Sequence, residues 1–147
     1  MSAIARLVGV LALLVSAQAA SAQNKVPTER ALEALVKANL LSFNDANVTG
    51  NYDVFHAKLA KPFRDQFPPE RLKSRFKEFS TKHIDFDIIA ALIPTYEPLP
   101  RVDEDGKLLV KGFFPTEPLR VHFDLDFIPS DGEWKLIRIN VKIGSPR

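Results

Sequence analysis

The sequence predicts an α+β domain: three N-terminal helices packed on a curved, four-stranded antiparallel meander sheet, cone-like in outline. Three observations predict it. Apolar residues recur at helical spacing from residue 28 to residue 79, and the period changes to strict alternation after Lys82. The stretch 119–143 alternates on both sides of Pro129-Ser130-Asp131-Gly132, the pattern of a long β-hairpin with one apolar face. A hairpin is not stable alone in water, so the helices that precede it must cover that face.

The elements follow in order. Residues 1–22 carry one early charge, Arg6, an uncharged run over 7–15 and small residues ending Ala20-Ser21-Ala22. These are the regions of a secretory signal peptide with an Ala-x-Ala cleavage site, and the run is much shorter than the ~20 residues that span a bilayer. Residues 23–27 form a flexible lead-in, and 28–147 form one domain. Thr28 caps the first helix, with Leu32, Leu35, Val36, Leu40 and Phe43 on its buried stripe and Asn39 as the polar exception. Turn chemistry at Asn47, Thr49, Gly50 and Asn51 ends it. A second, short helix over 52–60 puts Tyr52, Phe55, His56 and Leu59 on one face, and Pro62 stops it. Phe63 and Phe67 lie in a loop. Pro69 opens a third helix with Leu72, Phe76 and Phe79 buried.

Four strands are predicted next. The first covers 84–93, where Ile84, Phe86 and Ile88 alternate with His83, Asp85 and Asp87. A loop over 94–101 holds three prolines, and the next strand covers 107–114. The hairpin strands complete the meander. In the last one Trp134 and Leu136 fall on one parity, while Ile137, Ile139, Val141 and Ile143 fall on the other, which predicts a β-bulge at Leu136–Ile137.

Composition sets further bounds. Cleavage after residue 22 of 147 leaves 125 residues, enough for a single core. The absence of cysteine excludes disulfides, thiolate metal sites and cysteine nucleophiles. With the leader, it points to the periplasm or the exterior of a bacterium. Asn47-Val48-Thr49 matches a glycosylation acceptor but in that setting is turn chemistry. The net charge of +2 is too small to argue for nucleic acid, and no segment after the leader is long enough to span a membrane. Charge is unevenly spread: 58–82 carries eight bases and three acids, and 84–133 carries four bases and eleven acids. The bases of the third helix, Arg71, Lys73, Arg75 and Lys77, surround it and read as a solvated face.

In this order of elements, with Phe43-Asn44-Asp45-Ala46 leading to Gly50-Asn51-Tyr52 and Gly132-Glu133-Trp134-Lys135-Leu136 opening the last strand, the chain resembles the nuclear-transport-factor-two-like superfamily. That cone-shaped fold is shared with ketosteroid isomerases and polyketide-cyclase-like proteins. The resemblance implies a cavity between sheet and helices; it does not imply one activity, since packing features carry it. Isomerase-like members use a carboxylate base with a hydrogen-bonding tyrosine or acid in that cavity. Here Asp85, Asp87, Asp124 and Asp126 alternate away from the phenylalanines, toward solvent, so none matches the base.

The candidate site residues are therefore few. His56 and Tyr52 lie one helical turn apart and are the candidates for acid–base work; a lone His needs a positioned partner to do it. Asn39, Tyr52, His56 and Trp134 are the candidate ligand-binding residues, Asn39 because a buried amide needs a partner and Trp134 as a large apolar anchor at the sheet's mouth. Two segments, 83–87 and 122–126, each place one His and two Asp at period two. In a meander an intervening strand sets them roughly 9–10 Å apart, too far to share an ion, so no metal and no cofactor is expected. No glycine-rich phosphate loop, zinc-type histidine pair or nucleophile-elbow serine occurs.

The expected function is an exported small-ligand-binding or protein-interaction module, holding a small apolar ligand in the cone or pairing through the sheet as a homodimer. The alternative is a small isomerase- or cyclase-like enzyme using His56 and Tyr52. Burial discriminates: a cone plugged by Phe43, Phe63, Phe67 and Phe76 favours interaction over catalysis.

Overall fold

A computed structural model describes residues 25–146. The predicted signal peptide, 1–22, lies outside the described residues. Helix α1 spans Glu29–Thr49, capped by Thr28, whose Oγ accepts from the Ala31 N–H at 3.3 Å. Its buried stripe runs through Leu32, Val36, Asn39, Leu40, Phe43, Asn44, Ala46 and Asn47. Gly50 ends it at φ 75°, a left-handed cap that favours glycine, with its N–H donating to the Ala46 carbonyl at 2.9 Å. The sequence pattern places this helix correctly to within two residues.

Five helices form where three were expected. After α2 (Asp53–Lys58), Pro62 does not stop a helix but sits in the first turn of another, α3 (Lys61–Gln66). The first turn has no N–H partner to lose, so proline is tolerated there. The expected third helix divides into α4 (Pro69–Arg75) and α5 (Lys77–Thr81), with Phe76 outside helical geometry between them. Across the break the rings of Phe76 and Phe79 both still meet Phe43, at 4.9 and 5.2 Å between centroids.

The strand expected over 84–93 does not form. That stretch is an irregular link followed by a 3-10 helix, Asp87–Ala91. Asn44, buried in α1, decides this: its Nδ2 donates to Asp85 Oδ1 at 2.8 Å and its Oδ1 accepts from the Phe86 N–H at 2.9 Å. Asp85 Oδ1 also accepts from the Asp87 N–H at 3.1 Å. Side chains supply what a ladder would have supplied, and Phe86 and Ile89 are buried without a sheet neighbour.

The place of that strand is taken by the proline-rich stretch. Strands β1 (Thr95–Tyr96) and β2 (Arg101–Val102) both pair with β3 (Leu108–Phe114), one edge strand interrupted at Pro98 and Pro100. An edge tolerates proline because its outer side needs no donor. Close to this edge, Gly112 has no room for a side chain: a Cβ there would lie 1.9 Å from the Thr95 carbonyl oxygen. Strands β4 (Arg120–Ser130) and β5 (Glu133–Gly144) complete an antiparallel sheet in the order β1/β2, β3, β4, β5. Their hairpin closes on Asp131 and Gly132, both at positive φ.

One sheet face is apolar throughout. Leu108, Val110 and Phe114 of β3, Val121, Phe123, Leu125 and Phe127 of β4, and Leu136 and Val141 of β5 are buried with the helical stripes in one core. Between β4 and β5 the register shifts: Phe127 faces Leu136 and Asp126 faces Arg138, leaving Ile137 as the extra residue. This is the predicted bulge, and it keeps Leu136 and Ile139 on the same face despite their opposite parity. At the bulge the Leu136 carbonyl accepts from the Ala60 N–H at 2.9 Å, joining the α2–α3 junction to the sheet. Among the described residues no helix is long and apolar enough to cross a membrane.

Asn44→Ala removes both clamp bonds and leaves the Phe86 N–H buried without an acceptor. The expected loss is about 2–4 kcal/mol, read from the urea unfolding midpoint. An unchanged midpoint would show that the clamp does not hold this segment.

Candidate functional site

The four residues nominated by sequence are engaged within the fold. Asn39, 7% exposed, donates from Nδ2 to the Leu35 carbonyl of its own helix at 2.9 Å. Tyr52, at the N-cap of α2, is 2% exposed and donates its hydroxyl to Asn47 Oδ1. Burial pushes its phenol up to about 12. His56 is half-buried, and its Nε2 donates to the Arg64 carbonyl at 3.2 Å, so the proton is on Nε2. The Arg64 guanidinium in turn donates to the Leu59 carbonyl at 2.7 Å, stapling the α2–α3 junction. Trp134 is half-buried opposite Pro129 at the hairpin end and packs against the core. The polar atoms of Tyr52 and His56 thus point to different partners, on α1 and α3.

The space between the layers carries rings. Phe43 is fully buried with Phe55, Phe76, Phe79 and Phe86 around it at 4.9–6.4 Å. Phe63 and Phe67 pack on each other at 5.5 Å, and Arg71 and Arg75 lie over the Phe67 ring at 5.5 and 5.8 Å.

A groove of about 470 Å³ opens instead on the polar face of the sheet. Alternation along β3, β4 and β5 builds it, because residues facing away from the core share that face and register sets them side by side. Phe113, His122 and Lys142 form one row across the three strands, and Lys111, Asp124 and Asn140 form the next. The Arg120 guanidinium sits 4.0 Å over the Phe113 ring. The chain after β5 folds back across one end: Arg120 Nη1 donates to the Pro146 carbonyl at 3.1 Å, and His122 Nε2 donates to the Ser145 carbonyl at 3.0 Å. None of Asn39, Tyr52, His56 or Trp134 lines this groove.

The charges of that face are not balanced. Arg138 bridges Asp124 at 2.5 Å and Asp126 at 2.9 Å, which holds the guanidinium above its ordinary range, chiefly through the bond to Asp126. The two carboxylates are thereby occupied. Lys111 and Lys142 are exposed and enter no ion pair among the described residues. What remains is a concave surface with an aromatic floor, two free ammonium groups, a guanidinium and an imidazole, against the single exposed carboxylate of Glu97 on its lining. It is suited to hold a ligand carrying negative charge.

The twin His/Asp segments part company in three dimensions. His122, Asp124 and Asp126 lie on the polar face of β4, whereas 83–87 is no strand and His83 adopts φ 52°. Lys111, Phe113, Arg120, Asn140 and Lys142 were not singled out from sequence. Their signal was present in the alternation, which assigns each to the polar face; their convergence came from register.

The two tyrosines report on burial. Tyr96 is also raised to about 12, by burial first and then by the nearby charges of Glu33 and Glu29, and its hydroxyl is buried without a hydrogen-bond partner among the described residues. Folded values near 12 exceed the ordinary 10.0, so the stabilisation is whole below pH 10 and is lost as pH rises toward 12. Phenolate absorbance in the folded state is expected to show no step at pH 10 and to rise near pH 12 together with unfolding. A full tyrosine step at pH 10 with the fold intact would refute this placement. Comparison with protein-family models, with curated proteins and with solved structures gives no match for this chain.

Proposed function

We propose that the chain is an exported binding module that takes an anionic ligand on the polar face of its sheet. The observation that carries this is the row Phe113–His122–Lys142, with the Arg120 guanidinium over Phe113, open to solvent in a groove where Arg138 holds Asp124 and the bases Lys111, Arg120 and Lys142 outnumber the remaining acid, Glu97. The rings around Phe43 favour an outside surface over a cone-held apolar ligand. The Tyr52 hydroxyl and His56 Nε2 are bonded to Asn47 and the Arg64 carbonyl and not to each other, which favours binding over an isomerase- or cyclase-like activity. Membership of the nuclear-transport-factor-two-like superfamily, with its cone shape, is part of the same proposal. Its support is the order of helices before a meander sheet and the bulge at Ile137.

A thermal-shift series with carboxylates, phosphates and uncharged apolar compounds tests the site. A ligand at ten times its Kd adds about 1.4 kcal/mol, a rise of roughly 3–6 °C for a chain of this size. Anionic compounds are expected to raise Tm in the parent and in His56→Ala, and to lose the effect in Arg120→Glu. Stabilisation by apolar compounds alone, abolished by His56→Ala and untouched by Arg120→Glu, would return the site to the interior. Self-association through the same face would show as a dimer in sedimentation that Arg120→Glu changes.

Export rests on the pattern of residues 1–22. Expressed in a bacterium, the chain is expected in the periplasm with Gln23 at its N-terminus, as N-terminal sequencing reads it. Recovery of uncleaved chain from the cytosol would overturn this.

A further inference from the structure

The sheet has two edges, and they differ. The β1/β2 edge is broken by prolines, whereas β5 runs for 12 residues with β4 on one side only. Among the described residues its backbone pairs beyond that only at Leu136, through Leu59 and Ala60. In an antiparallel ladder closed by a two-residue loop, hydrogen-bonded and non-hydrogen-bonded pairs alternate from the turn. Pro129, which has no N–H, falls opposite Trp134 in a non-hydrogen-bonded pair, as this requires. Leu136, with its carbonyl turned outward to Ala60, falls in the next such pair. Beyond the bulge the alternation continues, so Ile139, Val141 and Ile143 stand opposite Leu125, Phe123 and Val121 with their N–H and C=O groups turned away from β4. Among the described residues no other backbone segment bonds to them.

The side chains beside this free edge form a receptacle. Phe79 of α5, Ile84, Val141 and Ile143 enclose a pocket of about 210 Å³, with Glu78, Lys82 and Lys142 at its rim. Next to it along α4 and α5 lie Arg75 and Lys77. Glu78 is paired with Lys82 at 2.5 Å, so the rim and its flank keep a net positive charge. A second copy of β5 laid along this edge would bring together two strands that each carry Lys135, Arg138 and Lys142 against a single Glu133, and like charges across strands are destabilising. A strand bearing carboxylates meets the opposite situation.

We infer that the β5 edge from Ile139 to Ile143 docks an extended acidic peptide segment of another protein. The segment adds as a further strand, and one of its apolar side chains fills the pocket of Phe79, Ile84 and Ile143. Main-chain bonds give the affinity, and the pocket with its basic rim gives the selectivity. This surface shares Lys142 with the groove lined by Phe113 and Arg120 but no other residue, and variants at Lys82 and Ile143 here and at Arg120 there tell the two proposals apart.

The probe is a fluorescein-labelled decapeptide of alternating Val and Glu, read by anisotropy, beside the same peptide with Lys in place of Glu. The acidic peptide is expected to bind with micromolar Kd and the basic one not to bind. Ile143→Pro removes an outward N–H without removing a bond to β4, and is expected to weaken binding at least tenfold. Lys82→Glu, an exposed change, is expected to weaken it about tenfold, and Arg120→Glu to leave it unchanged. Should Ile143→Pro fail to fold, amide exchange on the parent chain decides: the peptide must slow exchange at Ile139, Val141 and Ile143. No binding of the acidic peptide at millimolar concentration, binding insensitive to Lys82→Glu, protection confined to other amides, or a dimer sealed through β5 would each overturn the assignment.

Discussion

Four aromatic rings meet Phe43, and they come from separate stretches of the chain. Phe55 arrives on α2, Phe76 sits at the break between α4 and α5, Phe79 lies on α5, and Phe86 precedes the 3-10 helix. Each pair adds about 0.5–1.5 kcal/mol beyond its buried area, and Phe43 itself is fully buried. The rest of the helical layer follows from this cluster. Phe76 sits at the break itself, and both its ring and that of Phe79 reach Phe43. The link after α5 must return Phe86 to Phe43, and Asn44, the next residue on α1, takes up the backbone groups that this return leaves without a ladder.

Because rings occupy the layer interface, the open chemistry of the molecule moves outward, to the polar face and the free edge of the sheet. The two surfaces share an origin in β5. Its residues facing away from the core, Asn140 and Lys142, complete the groove, while the outward backbone of Ile139, Val141 and Ile143 forms the edge. The bulge at Ile137 is what permits both. Without the extra residue, Ile139, Val141 and Ile143 would change places with Arg138, Asn140 and Lys142, burying charge and exposing the apolar set. Arg138, placed by the same shift opposite Asp126, then neutralises the two carboxylates that would otherwise cancel the lysines.

Long edge strands invite pairing, and this sheet treats its two edges differently. Prolines at 98 and 100 break one into two-residue pieces, and Gly112 lets the first of these approach β3 closely enough to pair. The other is left continuous and protected by positive charge, a device that discourages self-pairing but not pairing with an acidic strand.

Local patterns in the sequence were enough for the α+β class, the Thr28 cap, the stripe of α1, the β4–β5 hairpin and the bulge at Ile137. Each is a relation among residues a few positions apart, or a parity along one strand, so neighbours in sequence carry the whole signal. Gly112 was also legible in principle, since glycine inside a strand marks a close backbone approach. The errors lie where the deciding partner is remote. Alternation over 84–88 looks the same whether the backbone bonds go to a strand or to Asn44, some 41 residues earlier. Pro62 ends or begins a helix according to what α2 and α3 pack against, and the proline-rich stretch became a strand because β3 needed an edge. The candidate site shows the same division. Sequence assigned Arg120, His122 and Lys142 to a polar face, but register across three strands and the returning C-terminal segment made that face a groove. Backbone hydrogen bonds must be satisfied somewhere, and only the assembled tertiary structure determines where.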